Sequence, residues 1–233
     1  MIPPVFYFAI AAGLAFFGAS RFAPDDVVAV PSPSPTAQAV KLPVVLEILE
    51  LPSPHQDRRP KGVAIDTIIV HDTETPNVTH ATTIANWFLH PRSQVSAHYI
   101  IGKAGELVQC VPDEMRAWHA GPSTLAGRER VNDFSIGIEL VNAQTGKDPF
   151  TEAQYGTLAA LTADLMTRFP GITPERITGH RHVTKYPRIK RDPANNFDWK
   201  RYHADVQTLL TAKTAFERRA VEREQLARKL AKP

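Results

Sequence analysis

AIDTIIVHDT, residues 64–73, decides how the rest of the chain is read. Apolar residues occupy both alternating faces of the run, the pattern of a central strand covered by helices on each side. His71 closes it, on the pleat face shared by Ile65, Thr67 and Ile69. Helical spacing follows in HATTIANWFLH (80–90), through Ile84, Trp87 and Phe88. AHYIIGKAGELVQCV (97–111) predicts two strands joined at Gly102–Gly105, and SIGIELVN (135–142) predicts another strand. Thr151 and Gln154 have the form of a capping box. The helix they open carries Tyr155, Leu158, Leu161, Leu165 and Phe169 on one face and stops at Pro170-Gly171. RITGH (176–180) gives a short final strand, and Trp199, Tyr202, Val206 and Leu209 predict a last helix. Alternating strands and helices imply an α/β fold, with a central mixed β-sheet and helices packed on it.

The flanks differ in composition from this body. IPPVFYFAIAAGLAFFGAS (2–20) is uncharged and about long enough to cross a bilayer, so residues 1–20 are expected to be a signal peptide or membrane anchor. Gly18, Ala19 and Ser20 are small, which suits cleavage after Ser20. No cysteine is near, so a lipoprotein anchor is not supported. The expected location is the periplasm, free or anchored to the inner membrane, although Arg21 on the far side of the run opposes that orientation. Residues 21–61 are rich in Pro and Ser and predict an extended linker. The folded domain is expected over 62–211, and a charged helical tail over 212–233.

The formal net charge is +3 over 233 residues. From Lys213 onward seven Lys/Arg face three Glu, so the tail carries +4 and the remainder −1. A near-neutral body without interleaved surface aromatics argues against a nucleic-acid partner. The single cysteine, Cys110, excludes an intrachain disulfide and a multi-cysteine zinc site.

ITGHRHVTKYPRIKRDPA (177–194) places two histidines and an aspartate among many cations. His180 ends an apolar strand after Gly179, and Asp192 follows in an irregular loop. Two imidazoles and a carboxylate, with His71 as the third member, form an ordinary ligand set for catalytic zinc. On residue types alone, in a chain with nine histidines, that trio competes with satisfied polar residues. Glu139 adds to it: an acid inside an apolar strand is costly without a task. It shares its face with Ser135 and Gly137, and Gly137 leaves room above the sheet.

IIVHDT, VSAHYIIGKAGELVQCVP, RAWHAG, NDFSIGIEL, ITGHR and KRDP occur in the order and spacing of zinc-dependent N-acetylmuramoyl-L-alanine amidases. Over about residues 62–202 the chain resembles the AmpD-type members, which are similar in fold to peptidoglycan recognition proteins and T7-type phage lysozymes. The resemblance implies a zinc ion (Zn2+) in a surface groove, with His71, His180 and Asp192 as ligands. It implies Glu139 as general base, Lys190 as the cation beside the metal, and Trp118, His119 and Asn132 as groove residues near substrate. Peptidoglycan or its muropeptide fragments would be the substrate, cleaved between N-acetylmuramic acid and L-alanine. His182 matches no role; it, His98, His119 and His203 are expected outside the ligand set. Recognition proteins and phage enzymes of this fold tend to carry a tyrosine where this chain has Ala97, and its absence shifts the catalytic burden to Glu139, as in AmpD-type enzymes. Ala194 stands where the family often has glycine. A recognition module of the same fold without catalysis, and a phage endolysin, are the alternatives. The first usually lacks a ligand, and here all are present.

Overall fold

A computed structural model describes residues 45–185 and 189–230. The apolar run 2–20 and the linker up to residue 44 lie outside the described residues. In chain order the strands and helices are β1 (Ile48–Glu50), β2 (Gln56–Arg58), β3 (Thr67–Asp72), α1 (Ala81–Leu89), β4 (Tyr99–Ile101), β5 (Leu107–Gln109), β6 (Met115–Ala117), β7 (Thr124–Leu125), β8 (Arg128–Glu129), β9 (Ser135–Leu140), α2 (Glu152–Arg168), β10 (Ile177–Gly179) and α3 (Trp199–Leu230). Six strands form one mixed sheet in the order β1-β5-β4-β9-β3-β10. Every pairing in it is parallel except the β4–β5 hairpin. The Gly102–Gly105 turn makes that hairpin.

β3 is inner to the sheet, between β9 and β10, and all six of its residues are buried. Its two faces meet different layers. Ile68 and Val70, with Ile136, Ile138 and Leu140 of β9, pack on Tyr155, Leu158, Leu161 and Leu165 of α2 and Tyr202 and Val206 of α3. Truncating one of these leucines to alanine typically costs 2–5 kcal/mol, because the site only partly collapses. The other side of the sheet is covered in part by α1, through Ala81, Ile84, Ala85 and Phe88. Further along that side Ile69 packs on Ala120, Val131, Phe134 and Val183, and on the same side His71 and Glu139 stand next to each other, paired in register across β3 and β9.

α2 starts with the capping box: the Gln154 backbone N–H donates to Thr151 Oγ1 and the Thr151 N–H to Gln154 Oε1, both at 3.1 Å. α3 is capped by Asp198, whose Oδ1 accepts from the Arg201 N–H at 2.9 Å.

Two expected boundaries are corrected. Residues 45–61 belong to the folded unit, not to a linker. β1 adds to the sheet edge beside β5, and β2 pairs with β6. Ser53 Oγ donates to the Phe88 carbonyl at 2.7 Å. Arg59 donates to the carbonyls of Asp113, Asn132, Asp133 and Ser135 at 2.9–3.1 Å. Prolines between these short pieces break the period but leave backbone groups free to pair. At the other end no break falls at 211/212. α3 continues through it for 32 residues, about 48 Å at the usual rise. Its body-proximal turns are packed by Tyr202 and Val206, while Phe216 and Val221 are exposed. Among the described residues no helix is long and apolar enough to cross a membrane.

Candidate metal centre and active site

Three elements carry the chemistry to one place. β3 ends in His71. β10 ends at Gly179 and passes His180 into a short 3-10 turn. The loop after residue 188 brings Asp192 back over both. A side chain at Gly179 would put its Cβ 2.7 Å from Pro193 Cδ, so glycine lets that loop lie flat on the strand end. Arg181, one of the cations of the 177–194 stretch, is turned to this loop. Its guanidinium donates to the carbonyls of Arg191 and Pro193, and its backbone N–H donates to the Asp192 carbonyl at 3.0 Å. Asp72, next to His71, accepts from the Ala194 N–H at 2.6 Å. The ligand loop is therefore clamped from two sides.

His71 Nδ1 lies 2.9 Å from Asp192 Oδ2 and 3.1 Å from His180 Nδ1, and His180 Nδ1 lies 3.1 Å from the same Oδ2. Donor atoms around one tetrahedral zinc stand about 3.3 Å apart, given metal–ligand bonds of about 2.0–2.1 Å. The observed triangle has nearly that size. His180 Nε2 is 3.4 Å from the Ala120 carbonyl, an acceptor only, so it carries the proton and leaves Nδ1 a lone pair. All three residues are buried, and they form a group able to hold a metal ion. Burial, with the adjacent His180 ring as second contributor, pushes His71 down to about 4, so it is neutral at pH 7. Burial by itself would raise Asp192; contacts with His180 and His71 outweigh it and hold the carboxyl well below the usual range. Asp192 Oδ1 is buried with no hydrogen-bond partner. Convergent lone pairs beside an unpaired carboxylate oxygen fit a cation and are costly without one.

Glu139 faces this group across the strand pair. Its Oε2 is also buried without a partner. Burial raises its carboxyl well above the ordinary value, and the charges of Asp192 and Asp72 raise it further, against Lys190. A cleft of about 260 Å³ opens over His71, Glu139, His180 and Asp192, walled by Trp87, Val95, Trp118 and Lys190.

The other sequence-derived residues are divided by the structure. Lys190 is at the cleft rim and pairs with Glu74 Oε1 at 3.3 Å. Trp118 lines the cleft, with its Nε1–H donating to Asp57 Oδ2 at 2.8 Å. His119 is buried beneath His71, its Nδ1 3.0 Å from His71 Nε2. Asn132 is buried and borders an adjoining pocket of about 210 Å³; its Oδ1 accepts from the Ala120 N–H at 2.8 Å. His182 is exposed, His203 stacks on Trp199 within α3, and His98 Nδ1 accepts from the Gly137 N–H. Gly137 leaves no open space: the His119 ring fills it.

Residues 61–195 match the family model described as N-acetylmuramoyl-L-alanine amidase. The chain belongs to the N-acetylmuramoyl-L-alanine amidase family. It is 39% identical over 178 residues to the 1,6-anhydro-N-acetylmuramyl-L-alanine amidase AmpD of Enterobacter cloacae, covering 70% of this chain and 92% of that enzyme. The crystal structure of a selenomethionine AmpD derivative matches with a TM-score of 0.61 at 40% identity, over 70% of this chain and 99% of that one. The amidase AmiD from E. coli, solved with the substrate anhydro-N-acetylmuramic acid-L-Ala-D-gamma-Glu-L-Lys, matches with a TM-score of 0.52 at 29% identity, over 64% of this chain and 60% of that one.

Several residues of this amidase-family site escaped the sequence reading. Asp72 is a buried acid whose carboxyl is lifted to about 6 by burial, with the Asp192 charge adding. The His-Asp pair at the end of a wholly apolar strand was the available signal for it. Trp87 was assigned to a helix face, yet it is 51% exposed at the cleft wall. Asp57 holds Trp118 from a segment whose Pro and Ser content masked it.

Proposed function

We propose that this chain is a zinc hydrolase that cleaves the amide bond between N-acetylmuramic acid and L-alanine in peptidoglycan or its fragments. The observation that carries this reading is the convergence of His71 Nδ1, His180 Nδ1 and Asp192 Oδ2 next to Glu139, whose Oε2 is buried without a partner. Family membership and the substrate named for AmiD supply the bond.

His71, His180 and Asp192 would hold the metal. Zinc bound there supplies Lewis acidity, which makes water a nucleophile near pH 7 and polarises an amide carbonyl. Glu139 takes a proton from the attacking water and hands it to the leaving nitrogen of L-alanine. Lys190 at the rim stabilises negative charge on the tetrahedral carbon's oxygen. Trp118 offers an aromatic wall to the substrate, held by Asp57. The products are a lactyl-bearing muramyl sugar and a peptide that begins with L-alanine.

Mass spectrometry of digests tests the reading. Anhydromuropeptides and intact sacculi are incubated with the zinc-loaded and with the chelated protein. Release of free stem peptide, dependent on zinc, is expected. Cleavage at another bond, or undiminished cleavage after complete metal removal, would overturn it. The apolar run 2–20 motivates a second proposal, that the enzyme works outside the cytoplasmic membrane. Recovery of the native chain in the soluble cytoplasmic fraction would contradict that proposal.

A further inference from the structure

The two zinc-facing imidazoles are not equally anchored. His180 turns its Nε2 to a backbone carbonyl, whereas His71 turns its Nε2 to another histidine, which can donate or accept. What fixes the proton on His71 must therefore lie further back. His119 Nε2 is 3.1 Å from Ser135 Oγ, and Ser135 Oγ is 2.7 Å from the Val131 carbonyl. The protons follow in order from that carbonyl. It can only accept, so the single proton of the Ser135 hydroxyl points to it. Ser135 Oγ is left as an acceptor, so His119 Nε2 carries a hydrogen. His119 is buried, and its hydrogen-bond partners are this hydroxyl and His71, with no carboxylate among them to balance an imidazolium. Its Nδ1 is then a bare lone pair, and His71 must donate to it from Nε2. His71 Nδ1 is thereby left bare and aimed at Asp192 Oδ2 and His180 Nδ1.

We propose that Ser135, acting through His119, is a positioning device that locks His71 in the tautomer that binds metal. The inference rests on the zinc reading above and adds to it a buried hydroxyl outside the ligand set. β9 has the pattern this requires. Ser135, Gly137 and Glu139 alternate on one face of the strand. Ser135 anchors the chain of hydrogen bonds and Glu139 faces the metal group. Gly137 between them makes the floor: a Cβ there would stand 2.4 Å from His119 Cγ. One strand thus carries the acid and supports the opposing ligand.

The experiment compares the wild type with Ser135→Ala, His119→Leu and His119→Asn. The asparagine carbonyl replaces Nδ1 as an acceptor for His71 without needing Ser135. Two quantities are read: the 15N shifts of the His71 ring in metal-free protein above pH 7, and the zinc dissociation constant by competition with a chelating dye. The wild type is expected to show one tautomer, protonated at Nε2. Ser135→Ala and His119→Leu should show mixed tautomers and bind zinc about 10–100-fold more weakly. His119→Asn should restore both quantities towards the wild type. Unchanged tautomer and affinity in Ser135→Ala and His119→Leu would overturn the proposal. Weaker zinc binding with the His71 tautomer unchanged would also overturn it, since packing alone would then account for the loss. A wild type that binds no zinc would sink the metal reading instead, while the metal-free 15N shifts would still decide the role of Ser135.

Discussion

Glu139→Gln separates the catalytic duty of the buried acid from its cost to the fold. Glutamine keeps the shape and removes the ionisation. Loss of a positioned general base typically lowers turnover 10²–10⁴-fold, about 3–5 kcal/mol of barrier, and zinc content should stay at the wild-type level. The stability effect has the opposite sign. Burial raises the Glu139 carboxyl above its ordinary value of 4.5, so the folded state holds a proton that the unfolded chain has released. The fold therefore loses stability as pH rises through 4.5 towards the raised value, and the whole penalty is present above it. The variant has no such penalty. In metal-free protein at neutral pH the variant should therefore be the more stable of the two, by a margin that shrinks as pH falls towards 4.5. Each kcal/mol of that margin raises Tm by about 2–4 °C. The assay is calorimetry of the metal-free proteins from pH 4 to 8, beside product formation by the zinc-loaded proteins. A stability difference that does not grow with pH would show that Glu139 is not held protonated by burial, and turnover within about tenfold of the wild type would remove it from the proton transfer.

Asp192→Ala should lose tight zinc binding and turnover together, read by metal content after dialysis, because it removes a ligand whose neighbours cannot substitute. Metal-free protein should weaken as pH falls below 6.5, since burial pushes His71 to about 4 and His98 to about 3 and both must be deprotonated to fold. At about 1.4 kcal/mol per pKa unit this is several kcal/mol by pH 4, larger than the opposing slope of Asp72, whose carboxyl is raised to about 6; urea midpoints in the Glu139→Gln background, where the opposing slope of Glu139 is absent, measure the net, and a flat profile would contradict it. Arg59→Ala should cost about 3–5 kcal/mol by leaving several carbonyls unpaired, and deleting residues 1–60 should be far more harmful than deleting 1–44. Gly137→Ala, whose Cβ meets the His119 ring, should weaken zinc binding with all three ligands intact, as chelator competition would report.

Much of this was legible in the chain because the site lies at strand ends. The apolar run to His71 and the alternation around Glu139 set the two faces of β3 and β9 separately, and it is the register between these strands, not visible in the sequence, that puts His71 and Glu139 on one side of the sheet. The capping box gave the start of α2 for the same local reason. What was not legible depends on long-range pairing. β1 and β2 are three residues each, too short to show a period, and are held by partners about 60 residues away. Ser135 and His119 look like a strand residue and a loop residue until the fold stacks them behind His71. Arg181 reads as a free cation in sequence and is spent on its own loop's carbonyls. The continuity of α3 was hidden by a change of partner, from core to solvent, along one unbroken helix.

X-ray absorption at the zinc edge, on protein loaded with one equivalent of zinc, tests the metal centre most directly. The expected spectrum has two imidazole nitrogens at about 2.0–2.1 Å and carboxylate oxygen at about 2.0–2.2 Å, with the imidazole signal lost in His71→Ala/His180→Ala. Zinc that does not bind stoichiometrically, or that keeps the same shell in the double variant, would contradict it.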